Sequence, residues 1–382
     1  MNSNKQICKR CIYDSDVPSI EFDDYGVCNY CEMIDDLKEE YGTGKEKGKN
    51  RFEKIIQEIK KNGKGKRYDC VIGVSGGTDS SYMLHKIKEW ELRPLAVHYD
   101  NTWNTSIATQ NIKLMLEKLD IDLYTHVVDN EEVDSIFKAF FYSGVPELDA
   151  CTDLALAEVL YRAADSVGVK YVIEGHSFMT EGVSPLGDVY FDGRYISSIN
   201  KKYGSKPINT YPLMTFFRFM KWTLLKRIKK IRPLWYLDYS KEEARKILEK
   251  EYGWKYYGGH HLENRLTAFA HQIYLPKKFN KDLRNLSLSA SARSGFLSQE
   301  EALRIYRLPI NEEKGLTEYF IKRLDLSERE FLGIMNDEPK NYKDYPSYKR
   351  IFEILRPLFF LLYKSNLVPK SFYIKYTSKN EL

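Results

Sequence analysis

The chain has 382 residues, 43% of them hydrophobic, which is enough for two or three domains with sizeable cores. It carries 59 basic and 54 acidic residues, and a net charge of +5 gives no reason to expect a nucleic-acid-binding protein. No apolar run is long enough to span a bilayer, and the polar start Met1–Gln6 does not resemble a secretory signal. We therefore expect a globular enzyme of the cytoplasm.

Four of the six cysteines form two Cys-x-x-Cys pairs, separated by sixteen residues. Each short turn brings two thiolates together, and two such turns complete a closed tetrahedral site typical of structural zinc. The alternatives are disulfides, which a reducing cytoplasm disfavours, and a redox-active pair, which needs no second pair. The sequence predicts a zinc-ribbon module over residues 1–40, with these metal ligands: Cys8, Cys11, Cys28 and Cys31.

Residues 41–66 are predicted to form a linker, rich in glycine and lysine from Gly42 to Lys49, and a helix from Arg51 to Lys61. Strands and helices then alternate through residues 67–200. The predicted strands are 70–74, 94–99, 122–128 and 171–174, and the predicted helices are 79–90, 105–119, 132–142 and 152–167. This alternation predicts an α/β fold, a parallel sheet with helices on both faces, which binds ligands at the carboxyl ends of its strands.

The first strand runs directly into a Ser-Gly-Gly-Thr-Asp-Ser-Ser loop and then a helix. Small residues let the backbone close on phosphate oxygens, the serines add donors, and the helix turns its free N–H groups toward the anion. The loop lacks the Gly-Lys-Ser/Thr ending of a Walker A motif, which argues against phosphoryl transfer. Asp79 is predicted to help hold Mg²⁺ or to fix the loop. The predicted ATP-binding residues here are Ser75, Gly76, Gly77, Thr78, Asp79, Ser80 and Ser81, with Ser75 and Asp79 also catalytic.

The ends of two other strands add candidates. An acidic residue at a strand end is also an ordinary turn former, and a single histidine is more often simply hydrogen-bonded. Position after a strand nonetheless favours contact with the nucleotide. The further predicted ATP-binding residues are Val97, Tyr99, Asp100, Gly175 and His176, and Glu181 is a predicted substrate ligand.

At this loop the sequence resembles the PP-loop ATP pyrophosphatases, which cleave ATP between the α and β phosphates and activate a carbonyl oxygen as its adenylate. Beyond residue 200 it resembles one family, the N-acetyl sugar amidotransferases of bacterial surface-glycan synthesis. The resemblance covers roughly residues 5–310. Its motifs are Tyr252-Gly253-Trp254, Tyr257-Gly258-Gly259-His260-His261 with Glu263, Thr267-Ala268-Phe269, and Leu275-Pro276-Lys277-Lys278-Phe279 with Asp282 and Arg284.

The resemblance implies that ATP and Mg²⁺ activate the acetamido carbonyl of an N-acetylated sugar, and that ammonia replaces its oxygen. The products would be an acetamidino sugar for O-antigen or flagellar glycans, AMP and pyrophosphate. The sugar could be a sugar nucleotide or a nonulosonic acid. The resemblance assigns residues 67–200 to the PP-loop domain and 201–310 to the substrate region. Short amphipathic helical patterns rich in Tyr, Lys and Leu predict a helical cap over residues 311–382. It assigns Lys278 and Arg284 to catalysis and Lys277, His260, His261 and Glu263 to the substrate.

Each of these assignments has an alternative. The three bases between Lys277 and Arg284 could form a solvated charged face. His260 stands where a lysine is usual in the family, and His260, His261, Glu263 and His271 could be a metal cluster. Adjacent histidines do not point the same way, which disfavours that cluster.

No glutaminase signature is visible in the sequence. The resemblance therefore implies a separate glutaminase subunit that supplies ammonia, together with a cyclase-like partner that channels it. The main rival function is tRNA thiolation, since PP-loop enzymes of that kind also carry cysteine pairs. They need further cysteines near ATP, and only Cys151 is placed for that, because Cys70 belongs to a core strand. A third hypothesis is a nucleotide-binding module without catalysis.

The segment 216–232 has seven bases, no acid and apolar residues at helical spacing. These are Phe217, Met220, Leu224, Ile228 and Ile231. We expect a helix packed on the sheet domain or on a partner. The same composition is typical of a membrane-surface helix, so the segment is also a candidate for peripheral membrane contact.

Overall fold

The structure, a computed structural model, describes residues 5–258, 262–365, 367–368 and 370–378. Its centre is a parallel sheet of five strands, in the order β3-β2-β1-β4-β5. The strands are β1 (Cys70–Gly73), β2 (Pro94–Asp100), β3 (Leu123–Val127), β4 (Tyr171–Ile173) and β5 (Lys229–Ile231). The winding reverses between β1 and β4, and such a switch point opens a crevice at the carboxyl ends of the strands.

Helices surround the sheet and continue beyond it as a helical C-terminal region. In chain order they are α1 (Asn29–Tyr41), α2 (Glu46–Gly63), α3 (Thr78–Glu89), α4 (Ser106–Leu119), α5 (Asn130–Ser143), α6 (Ala150–Ser166), α7 (Phe178–Glu181), α8 (Gly193–Tyr203), α9 (Phe216–Met220), α10 (Lys241–Tyr252), α11 (Arg265–Phe269), α12 (Leu275–Phe279), α13 (Arg284–Arg293), α14 (Gln299–Arg307), α15 (Leu316–Arg323), α16 (Glu328–Asn336), α17 (Lys349–Ile354), α18 (Arg356–Lys364) and α19 (Lys370–Thr377). Within the described ranges, no helix has both the length and the apolar character needed to cross a membrane.

The sheet divides the main hydrophobic core into two layers, because alternate side chains of a strand point to opposite faces. Val71, Val97 and Tyr99 belong to the layer that contains α5 and α6. Ile72 and Ala96 belong to the layer that contains α2, α3, α4 and α10. Helices therefore cover both faces. Together with the N-terminal cysteine cluster and the helical C-terminal region, this confirms the predicted fold class.

The segment from Gly42 to Lys49 is a shorter connection than the predicted linker: residues 42–45 join α1 to α2, and residues 46–49 already belong to α2. Gly42 ends α1 with a left-handed φ of 68°, and α2 already begins at Glu46. A Cβ on Gly48 would lie 2.1 Å from the Gly42 carbonyl oxygen. The glycines are therefore needed for close packing of the backbone, not for flexibility.

The prediction of one helix over 216–232 is wrong. The helix α9 ends at Met220, a wider helical turn follows over Lys221–Leu225, and the chain then reverses at Arg227, which has a φ of 51°. The next residue, Ile228, is buried, and β5 follows it. A short helix and a strand together produced the apparent helical spacing, so the amphipathic stripe does not exist as one face.

Candidate ATP-binding site

The loop between β1 and α3 lies at the switch point of the sheet. The hydroxyl oxygens of Ser75 and Ser80 are 3.2 Å apart. Ser75 Oγ also accepts from the Gly77 N–H at 3.2 Å, and Ser80 Oγ donates to the Gly77 carbonyl at 3.3 Å. In the described chain no side chain caps α3 at Gly77. The free N–H groups and positive dipole end of α3 therefore form an anion-binding site.

Two glycines keep the backbone of the site compact. Gly76 has a φ of 79°, and a Cβ on it would stand 2.2 Å from the Ala108 carbonyl oxygen. Its own carbonyl accepts from Trp254 Nε1 at 3.0 Å. Gly175, just after β4, packs against the start of α3, where a Cβ would lie 2.9 Å from the backbone of Asp79. The loop after β4 thus meets the loop after β1, as predicted.

We expect Gly76→Ala to lose about 2–5 kcal/mol of stability, because it combines a disfavoured φ with a backbone collision. Gly168→Ala is the matched control, since Gly168 has a φ of 70° and no heavy atom lies within 4 Å of its added Cβ. It should lose only about 1–2 kcal/mol. Denaturant unfolding of both variants measures the difference, and equal losses would contradict the tight loop geometry.

Asp79 is held by two groups that follow β5. The Tyr239 hydroxyl donates to Asp79 Oδ1, and Lys241 Nζ lies 3.0 Å from Asp79 Oδ2. Burial raises the pKa of Asp79 to about 7, while the Lys241 ammonium opposes this rise and the Glu181 carboxylate adds to it. The Asp79 carboxylate and the Lys241 ammonium therefore lie side by side at the start of α3.

Glu181 and His176 extend this polar network. Lys241 Nζ is 3.4 Å from Glu181 Oε1, and Glu181 Oε2 is 3.5 Å from His176 Nε2. Trp235 Nε1 donates to His176 Nδ1 at 3.1 Å, which assigns the imidazole proton to Nε2, facing Glu181. Burial and the nearby Arg232 lower the pKa of His176 to about 3. His176 is therefore a neutral residue at physiological pH and supplies no charge to a phosphate.

Glu174 binds two cations from β5 and the residue after it. Lys230 Nζ lies 2.5 Å and Arg232 Nε 3.2 Å from its carboxylate oxygens. Burial raises the pKa of Glu174, but the two cations outweigh burial and lower the pKa to about 2. The Arg232 guanidinium also stacks over the Trp235 ring at 5.0 Å. The strand β5 thus brings positive charge to the wall of the site.

The end of β2 contributes less than predicted. Val97 is fully buried, and the Tyr99 hydroxyl donates to the Tyr211 hydroxyl at 3.0 Å within the core. Asp100 accepts from the Thr102 N–H at 2.7 Å, which is the turn-forming role weighed above. Tyr99 also lines the cavity described next, so its contact with adenine stays a prediction.

A cavity of about 2140 Å³ lies over the carboxyl ends of the strands. A pocket for one small ligand is usually about 300–1,000 Å³, so this cavity has room for ATP and a second substrate. Its charged and titratable walls include Asp79, Glu174, His176, Glu181, Lys230, Arg232, Lys241, Arg245, Glu263 and Arg284. The predicted ATP loop and part of the predicted substrate region therefore share one cavity.

Glu263 is a predicted substrate residue that lies against the loop. An added Cβ on Gly77 would lie 3.0 Å from the Tyr257 hydroxyl and 3.3 Å from Glu263 Oε1. The other two predicted ligands of this motif, His260 and His261, lie outside the described residues. Glu263 and Tyr257 are thus packed beside the start of α3.

The positions of Lys278 and Lys277 disagree with their predicted roles in catalysis and substrate binding, since neither lysine lines the cavity. Lys278 is buried, and its Nζ donates to the carbonyls of Ile334 and Asp337 at 2.5 and 2.6 Å. Burial lowers the pKa of Lys278. Lys277 pairs with Glu312 at 2.9 Å. Both ammonium groups are therefore engaged by the helical region, and the exposed ion pair of Lys277 fits the charged-face alternative.

Arg284 lines the cavity, but its guanidinium is hydrogen-bonded to groups that lie close to it in the helical region. Nε and Nη2 bind the Asp282 carboxylate at 3.0 and 2.7 Å. Nη2 also donates to the carbonyls of Tyr306 and Leu308 at 3.2 and 2.9 Å. These bonds join the start of α13 to the end of α14, which is a structural role. Its predicted catalytic role stays a prediction.

We expect Lys278→Met to lose about 1–3 kcal/mol of stability, because two buried carbonyls lose their donor. ATP binding should be unchanged, since Lys278 does not reach the loop. The control is Lys277→Met at the half-exposed neighbouring lysine, which should change stability by less than about 0.5 kcal/mol. Thermal unfolding and a nucleotide-binding titration of both variants test this, and a selective loss of ATP affinity in Lys278→Met would restore the original assignment.

The four N-terminal cysteines form a candidate metal centre. Their sulfur atoms all lie within 4.8 Å of one another. The separations are 3.8 Å between Cys8 and Cys31, 3.7 Å between Cys11 and Cys28, and 3.7 Å between Cys28 and Cys31. A tetrahedron of thiolates at 2.3 Å from one ion has edges of about 3.8 Å. The cluster therefore fits one tetrahedral metal ion with no open position.

The C-terminal region completes the surroundings of this metal centre. The buried Arg293 donates to Cys11 Sγ at 3.5 Å and lies over the Tyr13 ring at 4.7 Å. Gln299 Nε2 donates to the carbonyls of Cys8 and Cys11. A guanidinium beside four thiolates offsets their excess negative charge. The cysteine module is thus packed against α13 and α14.

The remaining cysteines, Cys70 and Cys151, are fully buried. Cys70 is in the strand β1, as predicted. Burial raises the pKa of Cys151, and the thiol faces Tyr211 inside the core. A buried thiol of this kind is a poor sulfur carrier.

Five residues of the polar network at the site follow β4 and α9 and are not among the predicted ones. They are Lys230, Arg232, Trp235, Tyr239 and Lys241. The sequence predicts a basic helix over the segment that contains Lys229–Ile231, and the later residues carry no motif. The available signal was the alternation of Lys230 and Arg232 with Ile231, which is typical of a strand with one charged face.

The sheet order and the Ser-Gly-Gly-Thr-Asp-Ser loop at its switch point define a PP-loop type of ATP-binding fold. Residues 263–358 match the family model "LPS biosynthesis protein WbpG-like, C-terminal domain". This match supports the resemblance over the C-terminal part of the chain. The matched segment includes Glu263 and Arg284, which line the cavity, and Arg293 and Gln299, which pack on the cysteine module.

Other similar proteins add little about function. The "Uncharacterized protein MJ1599" of Methanocaldococcus jannaschii is 30% identical over 171 residues, which are 44% of this chain and 58% of that protein. The chain thus spans less than two thirds of this relative. The U34-tRNA thiolase NcsA of Methanococcus maripaludis, with its [4Fe-4S] cluster, is 13% identical, with a TM-score of 0.33 over 85% of this chain and 99% of that chain. NMN synthetase of Francisella tularensis is 17% identical, with a TM-score of 0.26 over 58% and 92%.

Proposed function

We propose that the protein is an ATP-dependent amidotransferase, which converts the acetamido group of an N-acetylated sugar into an acetamidino group for lipopolysaccharide or another surface glycan. The observation that carries the proposal is the shared cavity. The anion-binding loop lines this cavity, and so do Glu263 and Arg284, which belong to the WbpG-like segment. A nucleotide and a sugar would meet in this cavity.

The proposed reaction has two displacements. The acetamido oxygen attacks the α-phosphorus, the bond to the β-phosphate oxygen breaks, and pyrophosphate leaves. The nitrogen of ammonia then attacks the activated carbon, loses a proton, and AMP leaves with the original oxygen. Both steps build negative charge on phosphate oxygens, which fixed donors must stabilise.

The residues of the site suit this task. The N–H groups at the start of α3 and the hydroxyls of Ser75 and Ser80 would bind the departing phosphates. Lys241, 3.0 Å from Asp79, would turn from that carboxylate to the incoming phosphates. The neutral His176 would keep Glu181 in place without adding charge. Asp79, a carboxylate at the start of α3 beside the phosphate site, would hold Mg²⁺, which neutralises phosphate charge when bound.

For the metal centre and the ammonia supply we propose the following. Zinc would occupy the four-cysteine site as a structural ion, because the sulfur spacing fits its tetrahedral geometry.

All six cysteines are buried, so this chain offers no exposed cysteine nucleophile for glutamine hydrolysis. Ammonia would come from a separate glutaminase subunit through a cyclase-like partner. The reduced thiolates and the use of ATP fit a location in the cytoplasm.

The test is mass spectrometry of acetamido sugar nucleotides and nonulosonic acids after incubation with the protein, ATP, Mg²⁺ and a high ammonium concentration. Replacement of O by NH lowers the mass by about one dalton, and one AMP should appear per product formed. AMP release without any change in a sugar would refute the proposed substrate class.

The competing function, tRNA thiolation, finds less support. It would need a reactive thiol or cluster at the ATP site, whereas Cys151 is buried in the core and the other four clustered cysteines form a closed site. The same assay distinguishes the two functions when tRNA replaces the sugars. AMP release that depends on tRNA, and binding that weakens steeply with salt, would favour thiolation.

A further inference from the structure

The two consecutive helices α17 and α18 carry an exposed apolar stripe. It consists of Ile351, Ile354, Leu358 and Leu361, which are three, four and three residues apart, the spacing of one helical face. Ile354 is 77% exposed and Leu361 is 62% exposed. Single exposed apolar residues are ordinary, but four on one face form a continuous patch.

The stripe is not needed for the core, because another face of the same helices serves that purpose. Phe352, Phe359 and Leu362 are buried there, and the Phe352 and Phe359 rings are 5.4 Å apart. Both helices therefore pack on the core through this buried face, and the aliphatic stripe is exposed to solvent.

A neighbouring segment adds further exposed apolar groups. The Phe216 ring lies 5.5 Å from the Phe352 ring, so α9 packs beside α17. The residue after it, Phe217, is 75% exposed, and Leu225 is 80% exposed. The segment that the sequence marks as a candidate for membrane contact thus packs on α17 through the buried Phe352, and it is not a long amphipathic helix.

The charge of the chain is concentrated in the same place. Residues 346–378 contain six basic residues and one acidic residue, whereas the remaining residues contain 53 of each. The segment therefore accounts for the whole net charge of +5. Lys349 and Lys370 are paired with Glu353 and Glu40, and Arg356 donates to the Tyr373 hydroxyl at 3.1 Å. The exposed bases at helical spacing from the stripe are Arg350, four residues before Ile354, and Lys364, three residues after Leu361.

We propose that the stripe on α17 and α18 binds the surface of an anionic lipid bilayer, with the aliphatic side chains in the interface and the flanking bases on the headgroups. Exposed aliphatics bordered by bases are the features of interfacial helices, and each base near an anionic surface adds attraction. The inference does not rest on the proposed reaction. A second copy of this chain is a poorer occupant, because two positive segments would be brought together.

The experiment is flotation of the full-length protein with vesicles of phosphatidylglycerol and phosphatidylethanolamine, compared with vesicles of phosphatidylcholine alone. We expect binding to the anionic vesicles, weaker binding at high salt because exposed charges are screened, and little binding to phosphatidylcholine. The double variant Ile354→Asp/Leu361→Asp should bind the anionic vesicles about tenfold or more weakly.

The matched control is Leu332→Asp, at an exposed leucine of α16 outside the stripe. It should bind like the wild type. Metal content and melting temperature of each variant show whether it is folded, and a more conservative pair, Ile354→Ser/Leu361→Ser, replaces the aspartates if they unfold the protein. Equal binding by the double variant and the wild type, or no binding by the wild type, overturns the proposal. If the wild type does not bind vesicles and the double variant loses a copurifying glutaminase, the membrane proposal is overturned in favour of a protein partner.

Discussion

Asp79→Asn is expected to reduce ATP-dependent AMP and pyrophosphate formation by about 10²–10³-fold. The amide keeps the shape of the side chain and can accept from Tyr239, but it loses the negative charge that faces Lys241 at 3.0 Å. The fold should persist, because Lys241 retains its contact with Glu181. Steady-state pyrophosphate release and thermal unfolding, measured on the same preparation, separate a chemical defect from unfolding.

The matched control is Asp238→Asn, an exposed aspartate next to Tyr239 in the chain. It makes the same substitution in the segment that contacts Asp79 without touching the loop, and its activity should equal that of the wild type. Wild-type activity in Asp79→Asn would remove Asp79 from the catalytic site and would place the nucleotide elsewhere in the cavity.

Cys8→Ser is expected to remove the bound metal and to lower stability by more than about 4 kcal/mol, since a structural metal site contributes folding energy outright. Cys8 Sγ also accepts from the N–H groups of Arg10 and Cys28, both at 3.3 Å, so its loss disturbs both cysteine turns. Elemental analysis should give one metal ion per wild-type chain and none per variant. Chelation of the wild type should reproduce the defect.

Metal loss should also weaken ATP binding, because α1 begins at the second cysteine pair and its last residue, Tyr41, packs on Trp235 at 4.9 Å between ring centres. Trp235 in turn donates to His176. Cys151→Ala serves as the control, since it removes a buried thiol without touching the cluster. It should keep its metal, and a Cys8→Ser protein with full metal content and wild-type stability would contradict the metal assignment.

The parts of the fold that could be predicted from sequence are those encoded by short-range patterns. The loop after β1, the alternation of strands and helices, and the spacing of the cysteine pairs each reflect local geometry, and each is confirmed. Gly76 is a clear case, because a positive φ and a close backbone contact leave no other residue for that position.

The remaining features depend on contacts that no local pattern records. Lys278 is predicted to be catalytic, but the carbonyls that bind it belong to Ile334 and Asp337, more than fifty residues later. Lys241 carries no motif, and the pairing of β5 with β4 brings its segment to Asp79. A basic helix and a basic edge strand cannot be told apart over so short a segment.

The contacts of Arg293 and Gln299 with the cysteine module also govern the order in which the chain can assemble. The cysteine pairs leave the ribosome long before these two residues, which are 282 and 288 positions beyond Cys11. A nascent chain can therefore take up its metal early, but the thiolates keep an uncompensated charge and an open flank until the C-terminal region arrives. Premature termination before α13 would release a metal-loaded chain whose cysteine module lacks the contacts of Arg293 and Gln299. Such chains would be targets for thiol oxidation and proteolysis during synthesis.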